Sequence, residues 1–259
     1  MNWLYLHWNA SPDIAHIGPL TLRWYGLLFA AGFFIGFYLM RWVYRREGRP
    51  EADLDTLLWY LLLGTVIGAR LGHCLFYEPE YYLAHPIEIV KIWEGGLASH
   101  GGTIGVLLAL YLYTRKRPNQ PFLWLADRLT VPTALTATFI RIGNFFNSEI
   151  YGKITTVPWA VVFARVDPHP RHPTQLYEAL VYLALFMLLL TLYKRGVYFR
   201  WPMGRPLGVF LLWVFGWRFV IEWVKEPQEA FALGLPLNMG QLLSLPFLAM
   251  GLYLLLRKR

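Results

Sequence analysis

Seven long apolar runs divide the chain, at residues 20–40, 54–77, 96–113, 122–142, 174–193, 206–225 and 238–256. An α-helix needs roughly 20 mainly apolar residues to cross a bilayer, and each run approaches that length. The pattern predicts an all-α polytopic membrane protein with seven transmembrane helices, forming one integral domain over residues 1–259. The third run is the weakest, because Gly95-Gly96, His100 and Gly101-Gly102 crowd its start. It is expected to begin as a broken or re-entrant segment, which is tolerated only where protein or a watery cavity covers the backbone. Two connecting segments are long, 78–95 and 143–173, and their Pro, Trp and Tyr content predicts a small ordered head near the headgroups.

Composition supports the membrane reading. Hydrophobic residues make up 56% of the 259 residues and charged ones 15%, with a mean hydropathy of +0.38. Soluble proteins carry roughly 25% charged residues, and a single core stops growing near this chain length. Disorder, collagen and a disulfide scaffold are excluded by the same figures. The one cysteine, Cys74, lies in an apolar run without a nearby cation and is expected to be inert. Residues 1–19 contain no Lys or Arg, so no cleavable signal is expected and the first span serves as its own insertion signal.

The net charge of +8 has a topological explanation. Segments 41–49, 114–117, 194–205 and 257–259 hold 14 of the 24 Lys and Arg residues, while the alternate segments hold five. Basic short loops stay cytoplasmic, which puts the N-terminus outside and the C-terminus inside. Nucleic acid is not needed to account for the charge. Gly32/Gly36, Gly64/Gly68/Gly72 and Gly101/Gly105 recur at four-residue spacing, a pattern that lets membrane helices approach closely.

Ionisable groups within a span are costly and mark functional cavities by default. Arg141 and Asn144 are three apart and share a helix face, with Glu149 following. A guanidinium beside an amide suits a phosphate or carboxylate, because its planar fork bonds oxyanions in pairs. Arg218 and Glu222, four apart, are expected to pair on one face of the sixth span. Arg70 and His73 raise the same question in the second. Glu178 follows His172-Pro173-Thr174-Gln175, where helix capping accounts for much of the motif. His100 precedes Gly101-Gly102, which are expected to bare the backbone for a ligand beside a ring that titrates near neutrality. Metal ligation is not expected, since no carboxylate–His pair has metal-site spacing.

Four motifs then occur in order: His100-Gly101-Gly102-Thr103-Ile104-Gly105; Arg141 through Asn144, Asn147 and Glu149 to Gly152; His172-Pro173 with Gln175-Leu176-Tyr177-Glu178; and Arg218-Phe219 with Glu222. Together they resemble the phosphatidylglycerol–prolipoprotein diacylglyceryl transferases of bacteria, from Tyr25 to Met239-Gly240-Gln241. The resemblance implies an inner-membrane enzyme with a periplasmic head, phosphatidylglycerol and preprolipoproteins as partners, and no cofactor. It implies transfer of diacylglyceryl to a lipobox cysteine thiol, with glycerol 1-phosphate leaving. Catalytic roles would fall on His100, Arg141, Glu149, Arg218 and Glu222, and substrate-binding roles on Tyr25, Arg141, Asn144, Gly152 and Arg218. Two positions depart from the family pattern: Val214 stands where a Tyr is usual, one turn before Arg218, and Ser148 where Gly is usual.

The chemistry is consistent with the residues. Thioether formation is a displacement at carbon with phosphate leaving, so two arginines would stabilise the departing charge in a poorly screened site. A thiol of pKa ~8.5 is only about 3% thiolate at pH 7, so a base or cationic field must raise that fraction. His100, Glu149 and Arg141 are all candidates. Two other classes fit the same charges less well: a transporter, for which paired halves are common but no internal repeat is visible, and a lipid acyltransferase, which would leave the phosphoglycerol attached.

Overall fold

The computed structural model describes residues 5–18, 20–92, 95–96, 98–226 and 237–257. Lys258 and Arg259, counted above among the inner basic residues, lie outside them. The chain begins with strands β1 (Leu6–Trp8), β2 (Asp13–Ile17) and β3 (Leu20–Arg23). Helices α1 (Trp24–Arg46), α2 (Glu51–Phe76) and α3 (Pro79–Ala84) follow, then α4 (Ser99–Arg115) and α5 (Phe122–Asn147). Beyond strands β4 (Val161–Phe163) and β5 (Pro170–Arg171) come α6 (Thr174–Lys194), α7 (Val197–Arg200), α8 (Arg205–Ile221) and α9 (Met239–Leu256).

Helices therefore stand at all seven predicted runs. Five of them are long and apolar enough to cross a membrane: α1, α2, α6, α9, and α8 together with the 3-10 turn that extends it to Val224. Of the other two, α4 has only 17 residues, and α5 carries Asp127, Arg128 and an internal Pro132. Side chains such as Trp59, Ile104, Leu180 and Phe76 are exposed on these helices, the reverse of a soluble core and suited to lipid.

Two expectations need correction. The first helix starts at Trp24, not residue 20, because residues 20–23 pair with Asp13–Ile17 as an antiparallel hairpin. The connecting head is also not loop alone: β1 pairs parallel with β4, and β4 antiparallel with β5. Phe145, Val161 and Phe163 are buried there, with Trp8, Tyr151 and Leu176 against them, and Trp8 Nε1 donates to Phe145 O at 3.0 Å.

The chain forms two compact units, residues 40–125 and residues 1–39 with 126–259. In the first, α2 and α4 meet through glycines. A Cβ on Gly72 would lie 2.6 Å from Gly101 Cα, and one on Gly68 would lie 2.8 Å from Gly105 Cα. The packing reading of that spacing holds. It also corrects the reading of Gly101, whose missing side chain makes room for α2 rather than for a ligand. Gly95 and Gly96 adopt left-handed φ of +93° and +67° before α4 begins at Ser99. Buried Arg70 donates to the carbonyls of Glu88, Ile89, Gly95 and Gly96, so its charge fastens this loop. His73 lies against Gly96 in the same corner.

In the second unit, Gly32 and Gly36 let α1 approach Thr136 and Pro132 of α5. Gly208 and Gly251 do the same for α8 and α9. The carboxylate of Asp127 accepts from the amides of Gly204 (2.7 Å) and Leu207 (3.0 Å), satisfying donors that the first turn of α8 leaves without helical partners.

Candidate active site

The second unit gathers most of the singled-out polar residues at the end of α5 and the start of α6. Arg141 Nη1 donates to Asn144 Oδ1 at 3.2 Å, as their shared face predicts. Past the helix, Asn144 Nδ2 and Asn147 Nδ2 donate to Glu149 Oε1 at 2.7 and 3.1 Å. The backbone that folds Glu149 back is strained. Ser148 and Ile150 have φ of +56° and +57°, a left-handed conformation costly for any side chain and most for a β-branched one. A glycine at position 148 would adopt that conformation without strain. The first turn of α6 holds the strain in place: Gln175 Nε2 donates to Glu149 O at 2.7 Å, and Thr174 Oγ1 to Ile150 O at 2.8 Å.

Those bonds overturn the capping account of Glu178, for Pro173 at the N-cap and its neighbours make no side-chain cap. Glu178 is 1% exposed and faces two cations. Its Oε2 lies 2.9 Å from Arg141 Nε, and its Oε1 accepts from Lys225 Nζ at 3.2 Å. The Arg141 contact is an ion pair without hydrogen-bond alignment, which leaves Oε2 without a bond partner. Lys225, 7% exposed, also lies 3.6 Å from Glu222. Tyr182, buried one turn along α6 from Glu178, lies within the fields of Glu178, Arg141 and Arg218.

The expected Arg218–Glu222 pair is absent among the described residues. Helix α8 ends at Ile221, and Glu222 opens a 3-10 turn while its N–H still donates to Arg218 O, so the backbone keeps the two residues one turn apart and only their side chains part. Glu222 instead lies against Gly240, where a Cβ would come within 2.5 Å of its carboxyl carbon. Gly240 sits in the first turn of α9, where the dipole and free amides favour an anion. Asn238 caps that turn in a reciprocal box with Gln241, and Asn238 Nδ2 and Gln241 Nε2 donate to the carbonyls of Glu222 and Phe219. Arg218, half-buried on α8, makes no side-chain hydrogen bond or ion pair among the described residues.

Tyr25 opens α1 and packs on Gly143, where a Cβ would lie 2.8 Å from its ring, within the fields of Glu149 and Arg141. Gly152 is accounted for by packing. A Cβ there would meet His172 Cβ and Val224 O at 2.6 Å, its N–H donates to His172 O, and its carbonyl accepts from Arg171. Arg171 also binds Asp167 at 2.6 Å, which holds that carboxyl below the usual range, and caps the ring of Tyr151. Burial pushes His172 down, and its Nδ1 lies 3.1 Å from the Tyr177 hydroxyl, to which Trp159 donates. His100 is exposed in the first turn of α4, in the other compact unit.

A family model described as prolipoprotein diacylglyceryl transferase matches residues 12–257. The chain belongs to that family. A phosphatidylglycerol–prolipoprotein diacylglyceryl transferase of Tolumonas auensis is 57% identical over 251 residues, covering 97% of this chain and 96% of that protein. One of Chloroherpeton thalassium is 51% identical, covering 97% and 93%. One of Porphyromonas gingivalis is 44% identical, covering 98% and 94%. As a member of the prolipoprotein diacylglyceryl transferase family, the chain is a transferase and a multi-pass membrane protein.

Sequence reasoning missed Glu178, Lys225 and Tyr182 as members of this cluster. Glu178 and Tyr182 do leave a signal, two polar groups at i, i+4 in an otherwise apolar run. Lys225 leaves none, since it reads as a boundary cation.

Proposed function

We propose that this cluster binds the phosphate of phosphatidylglycerol and stabilises its departure as a lipobox cysteine thiol of a preprolipoprotein takes the diacylglyceryl group. The attacking sulfur forms a bond to the glycerol carbon, the carbon–oxygen bond to phosphate breaks, and glycerol 1-phosphate leaves with the electron pair. The observation that carries this reading is a pair of guanidinium groups in one cluster: Arg141 is held by Glu178 and Asn144, while Arg218 makes no side-chain hydrogen bond or ion pair among the described residues. A phosphate placed between them meets two guanidinium forks where water screens little. Glu149, exposed and held by two amide donors, borders the same cluster and stands with His100 as a candidate to receive the thiol proton.

The reading includes seven spans, a periplasmic N-terminus, a cytoplasmic C-terminus and residence in the inner membrane. The apolar helices and the one-sided distribution of basic loops support it. Both reactants then reach the site laterally from the membrane. The test is an assay of purified protein with phosphatidylglycerol and a lipobox peptide, following thioether and glycerol phosphate together. Equal amounts of both products are expected. Peptide modification with the phosphoglycerol still attached would point to acyl transfer instead.

A further inference from the structure

Lys225 belongs to no motif, yet its backbone is firmly placed. It follows the 3-10 turn Glu222–Val224 in extended conformation, with φ −82° and ψ 143°. Lys153 N–H donates to Val224 O at 2.8 Å and Glu226 N–H to Tyr151 O at 3.3 Å, which laces this segment to the chain on both sides of Gly152. The side chain, 7% exposed, ends between two carboxylates from different elements. Its Nζ donates to Glu178 Oε1 of α6 at 3.2 Å and lies 3.6 Å from Glu222 Oε2.

A carboxylate beside a guanidinium commonly engages it with both oxygens, in two parallel bonds. Glu178 does not. Its Oε1 is taken by Lys225, and Oε2 faces Arg141 at 2.9 Å from Nε without hydrogen-bond alignment. Arg141 thus has a counter-charge beside it that does not close its fork, and Asn144 takes one further bond from Nη1. This division holds only while the ammonium is present. Without it, Glu178 would be a carboxylate 1% exposed with Arg141 as its one close cation, and burial would drive both its oxygens onto the guanidinium. An arginine clamped in that way has little left for a phosphate.

We propose that Lys225 is a positioning residue for the transfer: it divides the Glu178 carboxylate and so keeps the fork of Arg141 open to the phosphate of the lipid. The role rests on the reading that Arg141 holds that phosphate. Lys225 acts through Glu178, so the harm of losing it should be eased by removing the charge it restrains.

The test compares Lys225→Met, Lys225→Arg and the double variant Lys225→Met/Glu178→Gln with wild type, per amount of monodisperse protein, as kcat/KM for phosphatidylglycerol and KM for a lipobox peptide at saturating lipid. Lys225→Met should lower kcat/KM for the lipid about 10- to 100-fold, the scale of losing one charge-stabilising donor, and leave the peptide KM within about twofold. Adding Glu178→Gln should recover about threefold or more, because a neutral amide cannot clamp Arg141 as a carboxylate does. Lys225→Arg keeps a cation at Glu178 and should outperform Lys225→Met. A kcat/KM for Lys225→Met within twofold of wild type would overturn the role. So would a double variant no better than Lys225→Met, a peptide KM that rises in step with the lipid loss, or Lys225→Arg no better than Lys225→Met. Near-wild-type turnover in Arg141→Lys alone would instead remove the phosphate clamp beneath the proposal, a result distinct from all four.

Discussion

Arg141 Nε and Glu178 Oε2 stand 2.9 Å apart in the interior of the second unit, brought together from α5 and α6 without hydrogen-bond alignment. The contact neutralises one edge of the guanidinium and leaves the other to Asn144 and whatever enters the site. A buried carboxylate facing two cations would be an expensive way to build a scaffold, since apolar residues often pack as well.

Arg141→Lys should not be conservative. An ammonium keeps the charge but loses the planar fork and cannot satisfy Glu178, Asn144 and a phosphate at once. Activity per folded protein should fall by more than about tenfold with insertion intact. Near-normal turnover in membranes would exclude paired phosphate holding.

Glu178→Gln should destabilise the protein as well as slow it. Removing the carboxylate leaves Lys225 and Arg141 short of a counter-charge in a buried place, and breaking one partner of a buried pair costs about 3–5 kcal/mol. A lower thermal midpoint in detergent is the check, and an unchanged midpoint would show that water already compensates these cations.

Gly240→Ala tests the seat of Glu222. The added methyl would fall within 2.5 Å of the Glu222 carboxyl carbon, so the carboxylate must leave the first turn of α9. A large loss of turnover is expected. Glu222→Gln combined with Gly240→Ala should be little worse than either alone, because both remove one placed charge.

His100→Gln separates proton transfer from placement. If His100 takes the thiol proton, the variant should be about 10²–10⁴-fold slower at pH 7 and recover as pH nears the thiol's own pKa. The sign follows from the thiol: thiolate forms unaided at higher pH, so the need for a base fades. A parallel drop at every pH would move the assignment to Glu149 or to the arginine field.

Topology can be read with fusions. A reporter after Arg259 should be cytoplasmic and one near Pro168 periplasmic, as the positions of the basic loops predict. Both on one side would sink the seven-span arrangement.

The membrane class, the helix positions and the close-packed glycines were legible in the sequence, because each follows from local pattern. Apolar length marks a span, and four-residue spacing marks a face. The Arg141–Asn144 contact was legible for the same reason, being three residues apart on one helix. The small sheets were not, since strands of two to five residues leave too short a pattern to distinguish from loop.

Tertiary structure decided the site's charge partners. Sequence spacing paired Arg218 with Glu222, but the Glu222 carboxylate lies against Gly240 of another helix and near Lys225. It took Glu178 for a capping residue, but the fold of the 148–150 turn handed the first turn of α6 to that strained backbone and left Glu178 facing Arg141 and Lys225. The sequence determined which chemical groups the membrane must accommodate, because burying a charge is costly whatever the fold. Which charge meets which was decided by how helices distant in sequence pack, since an ion pair depends on a few ångströms in space and not on spacing along the chain.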